Sequence, residues 1–211
     1  EALASYGIVG PRAVLAHGVQ LGPEELATAA EQETRLVHCP SANLKLASGV
    51  APVVEIRRAG VVMGIGADGA PCNNRMDPWT EIRSAALLAK VRSSDASALP
   101  ALDVLSMATL DGARVLGFSD RTGSLEIGKR ADVIVVDRDV LHAAPGLSGS
   151  LETAESVASS LVYSTVAQDI RHVFVDGDCL VRDRTPVRFD RQEVLHRARA
   201  EGERLAAMVL G

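Results

Sequence analysis

The sequence predicts an α/β protein in which parallel βα units come first and a β-rich, antiparallel segment follows. Three observations carry this expectation. Short uninterrupted apolar runs alternate with helical stretches through the first 120 residues. The core must be built mainly from Val, Leu, Ile and Ala, because aromatics make up only 3% of the chain, and such strands suit a parallel sheet covered on both faces. Beyond residue 120 the rhythm changes to β runs joined across a turn dipeptide.

Ala13-Val14-Leu15-Ala16 is the first strand, closed by His17-Gly18, and Pro23-Glu24-Glu25-Leu26 opens a helix with Pro and acids in its first turn. Arg35 to Cys39 is a second strand, followed by a Ser/Asn/Gly-rich loop from Ser41 to Gly49 and helical spacing over 50–59. Val61 to Ala67 is a third strand that ends at Asp68-Gly69. After a loop at 70–77, the stretch 78–92 is expected to be helical, with Ile82, Ala85, Ala86 and Ala89 on one stripe. One further helix is expected over 101–116. Next come a strand at 132–136, a surface loop over 141–155, and two β runs, Val173–Val175 and Cys179–Val181, around Asp176-Gly177. Asp190-Arg191-Gln192-Glu193 reads as a capping box for a last helix whose Val194, Ala198, Leu205 and Val209 are placed to face a core.

Composition excludes several functions. A net charge of −5, with Lys and Arg scattered along the chain, argues against nucleic-acid binding. The longest apolar stretches, broken by glycine, fall far short of the ~20 residues of a membrane span. Three cysteines, Cys39, Cys72 and Cys179, form neither a disulfide framework nor a CxxC pair, which favours a cytoplasmic protein. The chain starts without Met and without a secretory pattern, as though inside a helix of a larger protein.

Polar chemistry gathers where the first three strands end, at His17, His38 and Asp68. In parallel α/β architecture such positions share one mouth. Each residue alone has an ordinary reading, a hydrogen-bonded histidine or a turn aspartate. Together two imidazoles and a carboxylate supply metal ligation and proton transfer, and the residues by themselves leave both readings open. Cys39, Cys72 and Trp79 read first as packing residues, Asn43, Asn73 and Asn74 as turn formers, and His142, His172 and His196 as surface or structural. Gly64-Ile65-Gly66 lies within a strand and is no dinucleotide fingerprint.

The runs AVLAHGVQLGPEEL, HCPSANLKLASGVAPVVEIRRAGVVMGIGADGAPCNNRMDPWTEIRSAALLAK, MATLDGARVLGF and GSLEIGKRADVIVVD resemble the carboxyl-terminal half of the amidohydrolase superfamily. The likeness is greatest to hydrolytic deaminases and chlorohydrolases of adenosine-type nucleosides, guanine and s-triazines. The resemblance implies the last strands and helices of a β/α (TIM-like) barrel over 1–120, part of a small β-sandwich over 121–189, and a C-terminal helix over 190–211. It implies one divalent ion, zinc or iron, ligated by Asp68, which would also take a proton from the nucleophilic water. His17 would polarise the nucleophile or the tetrahedral intermediate, and His38 would shape the pocket. The substrate would be a small heterocyclic amine; a cyclic amide, or a catalytically silent fragment, is the alternative.

Departures accompany the matches. The family's His-x-His pair is absent from the five histidines, as are the strand-five histidine and its acidic partner. At 211 residues the chain is also short of the ~250 of a complete barrel. A missing N-terminal half is therefore expected, with activity depending on it, and a homodimer is a possible partner arrangement.

Overall fold

A computed structural model of the chain describes residues 2–144 and 151–210. The chain separates into two units, Glu1–Lys129 with Arg138–Ala167, and Arg130–Asp137 with Gln168–Gly211. The expected boundary at 120 thus falls nine residues early, and the segment from Arg138 returns to the first unit instead of continuing the β-rich one.

The first unit is built on β1 (Val14–Ala16), β2 (Arg35–His38) and β3 (Met63–Ile65). They form a parallel sheet in that order, with Leu15 opposite Leu36 and Leu36 opposite Met63. Parallel pairing requires crossovers. These are α2 (Pro23–Glu31), following the short α1 (Ala2–Ser5), and then α3 (Pro40–Lys45) with α4 (Val53–Arg58). After β3 come α5 (Ala70–Asn73) and the long α6 (Pro78–Ser93). The latter starts as the sequence prescribes: Asp77 accepts the Trp79 N–H at 3.0 Å as N-cap, and Pro78 fills the first helical position. Its predicted stripe of Ile82, Ala85, Ala86 and Ala89 is buried, and so is Trp79.

The helix expected over 101–116 is two helices, α7 (Ala101–Ala108) and α8 (Leu110–Leu116). Thr109 breaks it at φ −125°, ψ −95°, its hydroxyl bonding back to the Leu105 carbonyl at 2.6 Å. The break turns Gly112 of α8 onto β3. A Cβ on Gly64 would lie 3.0 Å from the Gly112 Cα, so β3 and α8 approach closely enough there that a side chain at Gly64 would press on backbone. Gly64→Ala is expected to cost about 1–3 kcal/mol by overpacking, measured by urea unfolding; a loss below about 0.5 kcal/mol would show that α8 yields freely. Around this seam Leu36, Ile56, Met63, Val104 and Met107 are fully or almost fully buried. At the foot of α8, the buried Asp111 carboxylate accepts from Ser106, Arg114 and Arg57, tying α4 to α8.

Of the loop expected over 141–155, residues 145–150 lie outside the described residues, and Leu141–Ala143 form a 3₁₀ turn. A helix absent from the sequence reading follows, α9 (Ala154–Tyr163), capped reciprocally by Thr153 and Ser156, with Ala158 and Val162 buried against α6 and α7.

The second unit is antiparallel, as expected: β4 (Val133–Val136), β5 (Ile170–Val175), β6 (Asp178–Arg182) and β7 (Thr185–Pro186), in that order. Asp176 and Gly177 form the hairpin turn with φ of 52° and 86°, both positive as a type I′ connection requires. The last helix, α10 (Arg191–Leu210), starts where Asp190 accepts the Gln192 N–H at 2.7 Å. Its apolar positions face no core in this unit: Val194, Leu205 and Val209 are 48%, 49% and 83% exposed. Periodicity marked an apolar stripe there but could not show what, if anything, covers it. Among the described residues no helix is long and apolar enough to cross a membrane.

Candidate active site

Because β1, β2 and β3 run parallel, their carboxyl ends open on the same side, and the three residues singled out by the sequence all lie there. The His17 N–H extends the ladder by donating to the Val37 carbonyl at 2.8 Å, just past β1. His38 is the last residue of β2, and Asp68 follows β3 by three residues. His17 and Asp68 are brought together across β2, with Nε2 and Oδ2 3.7 Å apart. Both side chains retain access to solvent, at 41% and 28%.

Each of the two sits in a backbone conformation that L-residues avoid, with φ of 71° at His17 and 61° at Asp68. Such strain costs on the order of 1 kcal/mol per residue and persists where the surroundings over-determine it. At the first of them Gly18, itself at φ 60°, allows the turn, since a Cβ there would lie 2.6 Å from the Leu36 side chain. At the second, Asp68 Oδ1 accepts the Gly69 N–H at 2.7 Å, which fixes the carboxylate and leaves Oδ2 directed toward His17.

The His17 ring is held from behind. Its Nδ1 lies 2.8 Å from Oδ1 of Asn43, which is buried on α3. A carboxamide oxygen only accepts, so Nδ1 carries a hydrogen and Nε2 is the nitrogen that faces the mouth. Asn43 was legible only as a turn former. Asn73 likewise proves to be a buried brace: its Nδ2 donates to the Ala67 carbonyl at 2.6 Å and to Glu81 Oε1 at 2.8 Å.

His38 joins the group without facing solvent, being 1% exposed. Burial, and then the neighbouring His17, lower its pKa from 6.5 to about 4, so the ring is neutral at physiological pH. Cys39 is buried as well, and its thiol is pushed up to about 11 by burial first and then by Asp68 and Glu81. A thiol so raised is no nucleophile, which agrees with the packing role its sequence context gave it.

The donor chemistry suits part of a metal site. Asp68 Oδ2 offers one carboxylate oxygen to a cation, with His17 Nε2 3.7 Å away to act on a bound water. One donor falls short of the three protein ligands a catalytic zinc needs. Among the described residues no group of three or more His, Cys, Asp or Glu could hold an ion.

Comparison with known proteins is concordant with this geometry. Residues 1–180 match the model of a family described as the amidohydrolase family. A Haloarcula marismortui protein named 5-methylthioadenosine/S-adenosylhomocysteine deaminase is 42% identical over 194 residues, covering 92% of this chain and 43% of its own length. The crystal structure of an adenosine deaminase from Xanthomonas campestris with bound zinc superposes with a TM-score of 0.91 at 38% identity, over 98% of this chain and 45% of that one. An atrazine chlorohydrolase from Arthrobacter aurescens complexed with zinc gives 0.82 at 28% identity, over 94% and 42%. The chain therefore spans a little under half the length of the relatives it matches.

Proposed function

The chain belongs to the amidohydrolase family, and from that premise we propose that it carries one side of the catalytic centre of a metal-dependent hydrolase that removes the exocyclic amine from an adenosine-type ring. The single observation that carries this reading is the approach of His17 Nε2 and Asp68 Oδ2 to 3.7 Å at the mouth of the parallel sheet. Deamination of an adenosine-type ring is preferred to dechlorination because the relatives named as adenosine-type deaminases are more similar than the chlorohydrolase, at 42% and 38% identity against 28%. In this reading the three-stranded sheet is the last part of a β/α barrel and the antiparallel unit part of a small β-sandwich.

Asp68 Oδ2 would ligate one divalent ion of the zinc or iron type, with the remaining donors supplied from outside these 211 residues. When bound, such an ion supplies the positive charge that makes water a competent nucleophile at neutral pH. The chain's own residues then manage protons. Water adds to the ring carbon that bears the amine, Asp68 Oδ2 takes one of its protons, and the same oxygen returns it to the amine, which leaves as ammonia. The second proton of the water ends on the adjacent ring nitrogen as the carbonyl forms, and His17 Nε2, held by Asn43 through Nδ1, polarises the attacking oxygen by hydrogen bonding to it. Neutral, buried His38 forms the floor beside them and takes no proton.

Metal analysis coupled to an ammonia assay tests the reading. A form that includes the outside donors is expected to hold about one ion per site and to release ammonia from 5′-deoxyadenosine or 5-methylthioadenosine. Near-stoichiometric zinc and turnover in the 211-residue chain alone would refute the need for outside donors. Absence of both metal and hydrolysis from the extended form would refute the deaminase assignment.

A further inference from the structure

Glu81 is the one acidic residue on the buried face of α6. Spacing of four places it in line with Ala85 and Ala89, and it is 1% exposed. No cation pairs with it among the ion pairs of the described residues. Its two oxygens go instead to two different loops of the mouth. Oε2 accepts the Ser41 N–H at 3.0 Å, and Oε1 accepts from Asn73 Nδ2 at 2.8 Å.

Each of these bonds leads to one half of the site. Ser41 is in the first turn of α3, whose N-cap Cys39 offers no side-chain acceptor, so Glu81 satisfies an N–H that would otherwise be orphaned. Two residues further along, α3 carries Asn43, which holds His17. On the other side, Asn73 grips the Ala67 carbonyl at 2.6 Å, immediately before Asp68, while its Oδ1 receives the Met76 N–H at 3.3 Å. Both carboxylates, Glu81 and Asp68, are close enough to Cys39 to raise its thiol.

We propose that Glu81 is a positioning residue: one buried carboxylate sets the separation of His17 and Asp68 by tying together the two loops that hold them, and so governs how well the mouth receives its ion. The ion-holding part of this inference rests on the function proposed above, whereas the tie itself does not. Leaving a buried N–H unpaired is costly, and loss of a direct hydrogen-bond partner of a metal ligand weakens metal affinity about 10–100-fold, an upper bound for Glu81, which reaches Asp68 through Asn73.

The test uses the extended form that includes the outside donors and compares wild type with Glu81→Leu, which removes both acceptors, and Glu81→Gln, which keeps one. Val162→Ala, a buried change on α9 that touches neither of Glu81's hydrogen bonds, is the control for plain destabilisation. Hydrogen exchange of the zinc-free protein should show segments 40–48 and 66–76 losing protection together in the Leu variant, and less in the Gln variant. Zinc affinity should fall by at least about threefold and by no more than about 100-fold for Leu, and less for Gln, with kcat reduced in step and KM held within about threefold. Val162→Ala should lower Tm and change none of these. Unchanged exchange in the two segments, exchange that rises evenly through the chain, or wild-type zinc affinity in both Glu81 variants would overturn the proposal. A wild type that takes up no zinc would sink the hydrolase reading instead, and the exchange data would then decide for or against the tie alone.

Discussion

In the form that includes the outside donors, Asp68→Asn is expected to lower kcat by about three orders of magnitude or more while leaving KM within a few-fold of wild type. Asparagine has nearly the same shape, and its oxygen can still accept the Gly69 N–H that holds the wild-type side chain at 2.7 Å. The strained backbone at φ 61° also tolerates asparagine as readily as aspartate. The substitution therefore spares the fold and removes two properties, the negative charge that draws a cation and the ability to take a proton at Oδ2. If proton transfer at that atom carries the reaction, what is lost is stabilisation that exists only in the transition state, and the loss falls on kcat. Steady-state kinetics with a metal determination on the same samples separates the two properties. Full metal with collapsed kcat isolates the proton transfer, and reduced metal isolates the charge. A variant retaining near-normal kcat would remove Asp68 from the mechanism.

What the sequence could reveal followed from its periodicities. His17 and Asp68 were found because apolar runs mark strands, parallel strands end on the same side, and polar residues just past those ends meet there; their side chains do approach to 3.7 Å. The Asp176-Gly177 hairpin was legible for an equally local reason, the positive φ that its two residues tolerate. Features that depend on distant partners were not legible. Glu81 lies in the first turn of a helix, where acids are common because they complement the helix dipole. Only its place on the stripe of Ala85 and Ala89 could have marked it as buried. Asn43 and Asn73 look like turn formers until the loops are folded and their amides face His17 and Glu81. Helix α9 was hidden by the Gly/Ser/Ala composition of the segment before it, although Thr153 and Ser156 already formed a cap. In α10 the reverse occurred: an apolar stripe was visible, yet its residues stand exposed.

Stability should fall as the solution is acidified from about pH 7 to pH 4, and His38 should account for about 3 kcal/mol of that fall, on the order of 1.4 kcal/mol for each unit by which its pKa is displaced. In the unfolded chain this histidine takes up a proton near its ordinary 6.5, whereas in the folded protein burial and the neighbouring His17 delay protonation to about pH 4. Between those limits the unfolded state binds a proton that the folded state refuses, so acidification favours unfolding. Above the window both states are neutral at this position, and below it both are charged, so the contribution is flat on either side. The carboxylates add their own pH dependence, but it is common to wild type and a His38→Gln variant and cancels in their difference. Glutamine does not titrate and fills much of the same space, and any packing loss it causes is independent of pH. Urea unfolding at intervals from pH 7.5 to pH 4 should therefore show the variant gaining on wild type throughout the window, most steeply near its middle, at about pH 5.2. Parallel curves for the two proteins, or a His38 ring that titrates near 6.5 by NMR in the folded state, would show that the imbalance does not exist. The same asymmetry bears on the proposed function, because a ring that stays neutral beside His17 would leave proton transfer at the mouth to the other polar groups there.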